Sequence, residues 1–465
     1  MGWVSAGDYE VALDGGKVVC RNASGRLLKS VPPEIADDPA VVGLKQLTEW
    51  PERHERQCLA DTERWMVRSL PVPLDVFPLG SATTLTELTD DPHPRLALLR
   101  AHEPVSWVPV LGGWLVTRRD LALRVMRDAA TFTVDDPRFS TAQVVGPSML
   151  SVEGAEHKRH RAPFTDPFRA QDVHDRFAGF VEREAARLVD GIRPRGSAEL
   201  RRTVAGPLAV AVVAESLGLV GAAAEAVLAW YDAIVSTVSD ITAGLPANPA
   251  GAAAFDQLRR SVEATVAAGG GTSPLVAAAE NERLTLPEVV ANAAVLMFGG
   301  IETTEGMIAN VVLHLLAHPG QLALVRGDPD LVDAAIEESL RLEPAAANVD
   351  RYATADVTIG GADVRRGDLV VVSLTGANRD PETFRDPDVF DLRRGNSRLQ
   401  LAFAHGPHFC LGAHLARLET RACLLALLDR LPGLRLDPAS PTAPRGLVFR
   451  KPPALRVRWD VPVRR

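Results

Sequence analysis

Cys410 is the residue whose type and setting most suggest chemistry. It sits in Phe403-Ala404-His405-Gly406-Pro407-His408-Phe409-Cys410-Leu411-Gly412, just ahead of an apolar, helix-favouring run from Leu411 to Leu428. Gly406 and Pro407 predict a shaped turn there rather than helix or strand. Backbone N–H groups and a helix N-terminus would then point toward the sulfur and favour the thiolate. A thiolate held this way is a nucleophile, a zinc ligand or an axial haem ligand. A zinc site would draw on His405, His408, Cys410 and His414, but zinc ligands usually come as pairs and no second pair is present. Taken alone, Cys410 also reads as a buried structural cysteine before a core helix.

A second stretch lies on a long helix. Thr285-Leu286-Pro287-Glu288 is a helix start, with Thr as N-cap, Pro in the first turn and Glu at the third helical position. The apolar run continues to Leu316 and stops near His318-Pro319-Gly320, about 30 residues and long for a globular helix. Its middle reads Phe298-Gly299-Gly300-Ile301-Glu302-Thr303-Thr304. Each mid-helix glycine costs about 1 kcal/mol relative to alanine. A ligand pressed against the backbone, or a local opening of the helix, would explain them. Glu302-Thr303 alone suits a buried hydrogen-bonded pair. Two weaker patterns complete the set. His157 and Arg161 share a face in the basic run His157-Lys158-Arg159-His160-Arg161, which by itself suits a solvated helix. Glu338 and Arg341 are an i,i+3 pair, common at surfaces.

Together these stretches resemble the cytochrome P-450 family, from about residue 85 to the end. The family's Phe-(Gly/Ser)-x-Gly-x-(His/Arg)-x-Cys-x-Gly loop is matched at Phe403, Gly406, His408, Cys410 and Gly412, with Ala404 departing and implying a slightly altered turn. The helix stretch resembles (Ala/Gly)-Gly-x-(Asp/Glu)-Thr, with Gly299 at the position more often Ala. The resemblance implies a mainly α fold with small β-sheets (α+β). Haem b, iron protoporphyrin IX, would lie between the long helix and the cysteine loop. It implies Cys410 as the axial iron ligand and His157, Arg161, Arg351 and His408 as propionate binders, with Phe403 and Gly412 shaping the loop. Glu302 and Thr303 would be catalytic, Thr303 hydrogen-bonding dioxygen and Glu302 feeding protons inward through water. Glu338 and Arg341 would be buried and joined by Arg394 in a structural triad. Val295, Phe298, Gly299, Ala347, Asn348 and Val448 would border an apolar substrate pocket.

The implied reaction inserts one oxygen atom of dioxygen into an organic substrate, the other leaving as water. By family habit this is hydroxylation of a natural-product intermediate. No Gly-rich dinucleotide fingerprint follows a strand. Electrons are therefore expected from a separate ferredoxin and its reductase, with Lys158, Arg159, Arg417 and Arg421 as a basic patch for an acidic partner. The alternatives are a non-oxygenating haem-binding or sensing protein and a peroxide-driven peroxygenase. The intact Glu302-Thr303 pair argues for the monooxygenase.

The rest of the chain must position these residues. Its 465 residues are 46% hydrophobic and 24% charged, ample for a core. The net charge of −8 argues against a nucleic-acid binder. No apolar run reaches the roughly 20 residues that span a bilayer, and the start lacks a signal-peptide pattern. Four scattered cysteines (Cys20, Cys58, Cys410, Cys423) make no disulfide framework. A cytoplasmic protein is the expectation.

Residues 1–80 read as an extension without assigned chemistry, preceding a haem domain over 81–465. Tyr9–Leu13, Lys17–Arg21 and Leu27–Val31 predict a β-meander. A helical pattern runs from Asp38 to Leu70, then a Pro-rich linker. This extension resembles a small module of larger bacterial proteins. Further on, Val105–Val110 and Trp114–Thr117 predict a hairpin, 131–153 a long loop and 170–280 successive helices. Strands are expected at Val357–Ile359 and Leu369–Ser373, with a late hairpin of Leu447–Phe449 and Leu455–Trp459.

Overall fold

The computed structural model describes residues 4–6, 9–14, 17–22, 26–28, 30, 32, 76–219, 224–242, 248–269, 273–280 and 283–461. The expected helix over 38–70 and the linker from Pro71 lie outside them. In chain order, β1 (Val4–Ala6), β2 (Tyr9–Asp14) and β3 (Lys17–Asn22) come first. Then follow α1 (Leu85–Asp90), α2 (His93–His102), β4 (Val105–Val108), β5 (Gly113–Val116), α3 (Arg119–Arg127), β6 (Phe132–Thr133), α4 (Ser140–Val145) and α5 (Gly154–Thr165). Next are α6 (Ala170–Ile192), β7 (Ser197–Glu199), α7 (Gly206–Leu217), α8 (Ala224–Thr242), α9 (Pro249–Ala268), α10 (Pro274–Ala279) and α11 (Leu286–Ala317). The chain closes with α12 (Pro319–Gly327), α13 (Val332–Leu342), β8 (Asn348–Ala353), β9 (Val357–Ile359), β10 (Ala362–Val364), β11 (Leu369–Ser373), α14 (Ala413–Arg430), β12 (Arg435–Leu436) and β13 (Arg456–Arg458). No single helix among the described residues is long and apolar enough to cross a membrane.

The chain forms two compact units. One takes Met1–Pro71, Asp135–Phe164 and Leu217–Leu296. Its meander has the order β1-β2-β3, all antiparallel. The expected third strand is replaced by Val4–Ala6 at the other edge, and Leu27 makes only an isolated bridge to Arg21. Four helices, α4, α5, α8 and α9, supply most of this unit's described structure, with α10 and the start of α11. Thr285 caps α11 as expected: its N–H and its hydroxyl both donate to Glu288 Oε2, at 2.8 and 3.0 Å.

The other unit takes Val72–Val134, Thr165–Ser216 and Met297–Arg465. Its five-stranded sheet runs β4-β5-β11-β8-β6, with β11 parallel to β5 and antiparallel to β8. β4 and β5 are the expected hairpin, and β9 and β11 fall where expected. The loop expected over 131–153 is interrupted by β6 and α4. Phe132 is fully buried and pairs with Ala353, a long-range contact that leaves no local signature. The late hairpin is also corrected. β13 pairs with β12 and with β7, the latter 259 residues upstream by the Val457–Ala198 register. Pro452-Pro453 lack N–H donors and separate β13 from Phe449, which bridges Ala346 instead. The core of this unit packs α6 against α14. On α6, Val173, Phe177, Val181, Ala185 and Val189 recur every four residues and are all buried, as one apolar stripe of a helix must be.

α14 also buries an acid. Glu419 is 2% exposed and its Oε2 has no hydrogen-bond partner among the described residues. Burial pushes its carboxyl well above the usual range. Burial, and then the neighbouring Glu419, push the Cys423 thiol up to about 12. Above a carboxyl's ordinary pKa of about 4.3, the unfolded chain releases the proton that the folded chain keeps, so stability falls as pH rises toward the folded value. Below it both states hold the proton and nothing is lost. Glu419→Gln keeps the shape without the titration. Its urea midpoint should rise above that of the parent as the buffer moves from mildly acidic to mildly alkaline. An unchanged gap would mean that the buried carboxyl does not hold its proton.

Candidate active site

The Cys410 loop is built from backbone turns. Ala404 has φ +57° and Gly406 φ +77°, both left-handed. The Ala404 N–H donates to Leu401 O at 2.8 Å, Phe409 N–H to Gly406 O at 3.0 Å and Cys410 N–H to Phe403 O at 2.9 Å. Gly406 has no alternative, because a Cβ there would lie 2.3 Å from the carbonyl oxygen of Met126. The altered turn expected at Ala404 is a left-handed residue carrying a side chain, which costs about 1–2 kcal/mol. Cys410 is half-buried and lies just before α14, whose N-cap is Gly412. A Cβ on Gly412 would meet nothing within 4 Å. The Arg417 guanidinium lies 4.4 Å from the Phe403 ring centroid.

On α11, Gly299 is exposed in the middle of the helix, and a Cβ there also meets nothing within 4 Å. The neighbouring Gly300 is tight: a Cβ would come 2.5 Å from Val213 Cγ2. The two glycines thus have different reasons, open space beside one and close packing beside the other. Thr303 Oγ1 donates to the Gly299 carbonyl at 2.5 Å, one turn back. Glu302 is ion-paired with Lys451 at 2.7 Å. Phe298 stacks edge-on against Phe449, with centroids 5.5 Å apart. Sequence reasoning missed Lys451 and Phe449, which no local pattern links to α11.

Glu338, Arg341 and Arg394 come together as expected. Arg341 meets Glu338 at 2.8 Å with both side chains fully buried, and Arg394 Nε meets Glu338 Oε1 at 2.9 Å. Arg341 also donates to the carbonyls of Asn378, Pro387 and Val389, and Arg394 to those of Arg385, Asp386 and Val389. The triad thereby holds the 385–391 segment by its backbone.

The cationic candidates fall in both units. In the first, His157 is buried and Arg161 half-buried on α5; in the second, Arg351 is buried on β8 and His408 is half-buried. Among the pocket candidates, Val295 is buried and Val448 is 40% exposed. The Asn348 amide donates to Leu447 O at 2.7 Å, and Ala347 is buried beside a small apolar cavity that Leu88, Leu96 and Leu115 also line.

The proposed basic patch is largely neutralised. Arg159 pairs with Glu156 and Glu288, Arg417 with Glu337 and Arg421 with Asp333. Burial raises the Glu288 pKa, but hydrogen bonds from His160 and Arg159 outweigh it and hold the carboxyl low. Two other arginines adjoin the cysteine loop: burial first, then Arg127 and Arg119, lower the pKa of His405 and favour its neutral form. The zinc alternative finds no support in the ligand geometry. Among the described residues, the one cluster of His, Cys or acidic ligand atoms is Glu156, His160 and Glu288, where Arg159 already bridges the two carboxylates.

Within the second unit, the donor set suits a haem. It offers a half-buried thiol at a helix N-terminus, a buried Arg351 and a half-buried His408 for carboxylates, and open space beside Gly299 and Gly412. Comparison with known proteins agrees. The family model Cytochrome P450 matches residues 271–453. Cytochrome P450 monooxygenase PikC of Streptomyces venezuelae is 35% identical over 87% of this chain and 96% of its own length. Nocardicin C N-oxygenase of Nocardia uniformis is 35% identical over 82% of this chain and 98% of its own. Among solved structures, a post-tailoring hydroxylase, HmtN, involved in himastatin biosynthesis superposes with a TM-score of 0.69 at 28% identity, covering 81% of this chain and all (100%) of that one. Fold and donor set define a haem-thiolate oxygenase. The chain belongs to the cytochrome P450 family, and it is a monooxygenase with haem b as cofactor.

The loop's backbone makes a direct prediction. Ala404→Gly relieves the left-handed strain and should stabilise the holoprotein by about 1 kcal/mol in urea unfolding. A loss of stability would mean that packing of the half-buried Ala404 methyl outweighs the strain. Gly406→Ala should fail to hold haem.

Proposed function

We propose that this protein hydroxylates a small, largely apolar natural-product intermediate. The overall change is R–H + O2 + 2 e⁻ + 2 H⁺ → R–OH + H2O. Bound haem b supplies the redox chemistry that cleaves dioxygen. The observation that carries the reading is the Cys410 loop, whose two left-handed residues and internal hydrogen bonds present one thiol at the start of α14. In this reading the Cys410 thiolate would hold the haem iron, and Phe403 and Gly412 would shape its surroundings. Arg351 and His408 would bind the propionates.

The chain's own groups then manage protons and substrate. Thr303 gives up its bond to the Gly299 carbonyl and donates at the open side of α11. Glu302 passes protons to it through water. Phe298, Gly299 and Val448 border the substrate. Its natural-product character is supported by the name of Nocardicin C N-oxygenase and by the himastatin-biosynthesis hydroxylase. Electrons come from a separate acidic ferredoxin and its reductase, docking at Arg119 and Arg127. The Glu338–Arg341–Arg394 triad serves folding, and residues 1–80 form an extension to the catalytic domain.

The carbon monoxide complex of the dithionite-reduced protein should show the red-shifted Soret band of a thiolate-ligated haem. Cys410→Ala should abolish it, and a band that survives would exclude Cys410 as ligand. Thr303→Ala should keep the band and consume electrons while product per electron pair falls severalfold. Unchanged coupling would remove Thr303 from proton delivery.

A further inference from the structure

The carboxylate of Glu302 is held from outside its own helix. Lys451 Nζ reaches Glu302 at 2.7 Å and Glu305 at 2.5 Å, all three side chains being largely buried. Glu305 is paired a second time, with Arg201 Nε at 3.0 Å. Two acids one turn apart on α11 therefore share one ammonium, and a guanidinium completes the neutralisation.

The backbone that carries Lys451 is itself anchored. Arg450, 2% exposed, pairs with Glu343 at 2.7 Å and donates to the carbonyls of Thr89, Pro444 and Gly446. Arg450 N–H donates to Ala345 O at 2.8 Å. Further along α11, the Asn310 amide donates to Glu343 O at 3.1 Å and to Arg450 O at 3.0 Å. Gly306 permits the close approach, since a Cβ there would lie 3.0 Å from Ala345 Cβ and 3.6 Å from Lys451 Cβ. Many contacts thus fix where the ammonium sits relative to α11.

We infer that Lys451 is a positioning residue for Glu302, holding its carboxylate from the strap 449–451 and keeping Glu305 when Glu302 turns to the proton path. The physical basis is the shared ammonium. A buried charge left without a partner is costly. When Glu302 turns away, Lys451 keeps Glu305, so no buried cation is stranded. When it returns, Glu305 still has Arg201. Of the two acids, Glu302 is the one that can leave without taking the only carboxylate from a cation of the group. The inference rests on the reading of Glu302 as proton donor, and the test separates the two.

The substrate-free holoenzyme would be driven by NADPH, a ferredoxin reductase and a ferredoxin. Oxygen uptake and peroxide release would be measured in H2O and D2O. Lys451→Met should change the solvent isotope effect, Lys451→Arg should restore it, and Lys451→Met/Glu302→Gln should match Glu302→Gln alone. Independent, multiplying effects of the two substitutions would overturn the role of Lys451 and leave that of Glu302 standing. No effect of Glu302→Gln would overturn the proton-donor reading itself. Independently of activity, urea unfolding of the four proteins of this double-mutant cycle should deviate from additivity about fivefold or more in the unfolding constant. Additivity would show that the pair is not formed.

Discussion

Glu338 is a carboxylate with no access to water, held by two guanidiniums. Taking such a charge out of water is expensive, and removing one partner of a buried pair costs about 3–5 kcal/mol. The arrangement is therefore worth little as net stability and much as specificity. Arg341 and Arg394 spend their remaining donors on carbonyls of residues 378 and 385–389. That segment leads through Gln400 and Leu401, themselves tied to Glu337 and Asn378, into the cysteine loop. The buried triad dictates where the loop begins, and the left-handed turns at Ala404 and Gly406 dictate where Cys410 ends.

α11 shows the opposite design. Most of its length is buried, with Val311, Val312 and Leu315 in the core of its unit. At Gly299 the helix is exposed, and the Thr303 hydroxyl bonds the carbonyl of that residue. A side-chain hydroxyl that bonds the carbonyl four residues back competes weakly with the helix and can let go. A rigid rod with one soft turn is what a site needs when a proton donor must move and its scaffold must not.

How much of this was legible depended on the range of the interactions. The Cys410 loop, the cap at Thr285 and the glycines of α11 are each written in one short stretch of chain, and a family resemblance assembled them. Glu338 and Arg341 are spaced to meet on any helix, yet nothing local says that both are buried. The arginines read as a docking patch were misjudged for the same reason. Arg417 and Arg421 look unpaired in one dimension and face Glu337 and Asp333 in three. Strands as short as β6, β7 and β13 have too few residues for alternation to register, and their partners supply the pairing.

By itself, the sequence determined the backbone chemistry: where only glycine fits, where a helix begins, and which thiol stands at a helix N-terminus. These follow from sterics and hydrogen bonding over a few residues. The tertiary structure alone decided which charges neutralise which. Lys451 meets Glu302 and Glu305, Arg201 meets Glu305, and Arg450 meets Glu343, each across more than a hundred residues of chain. Buried charges must find partners, but which partners is a matter of packing, and packing is not periodic in the sequence.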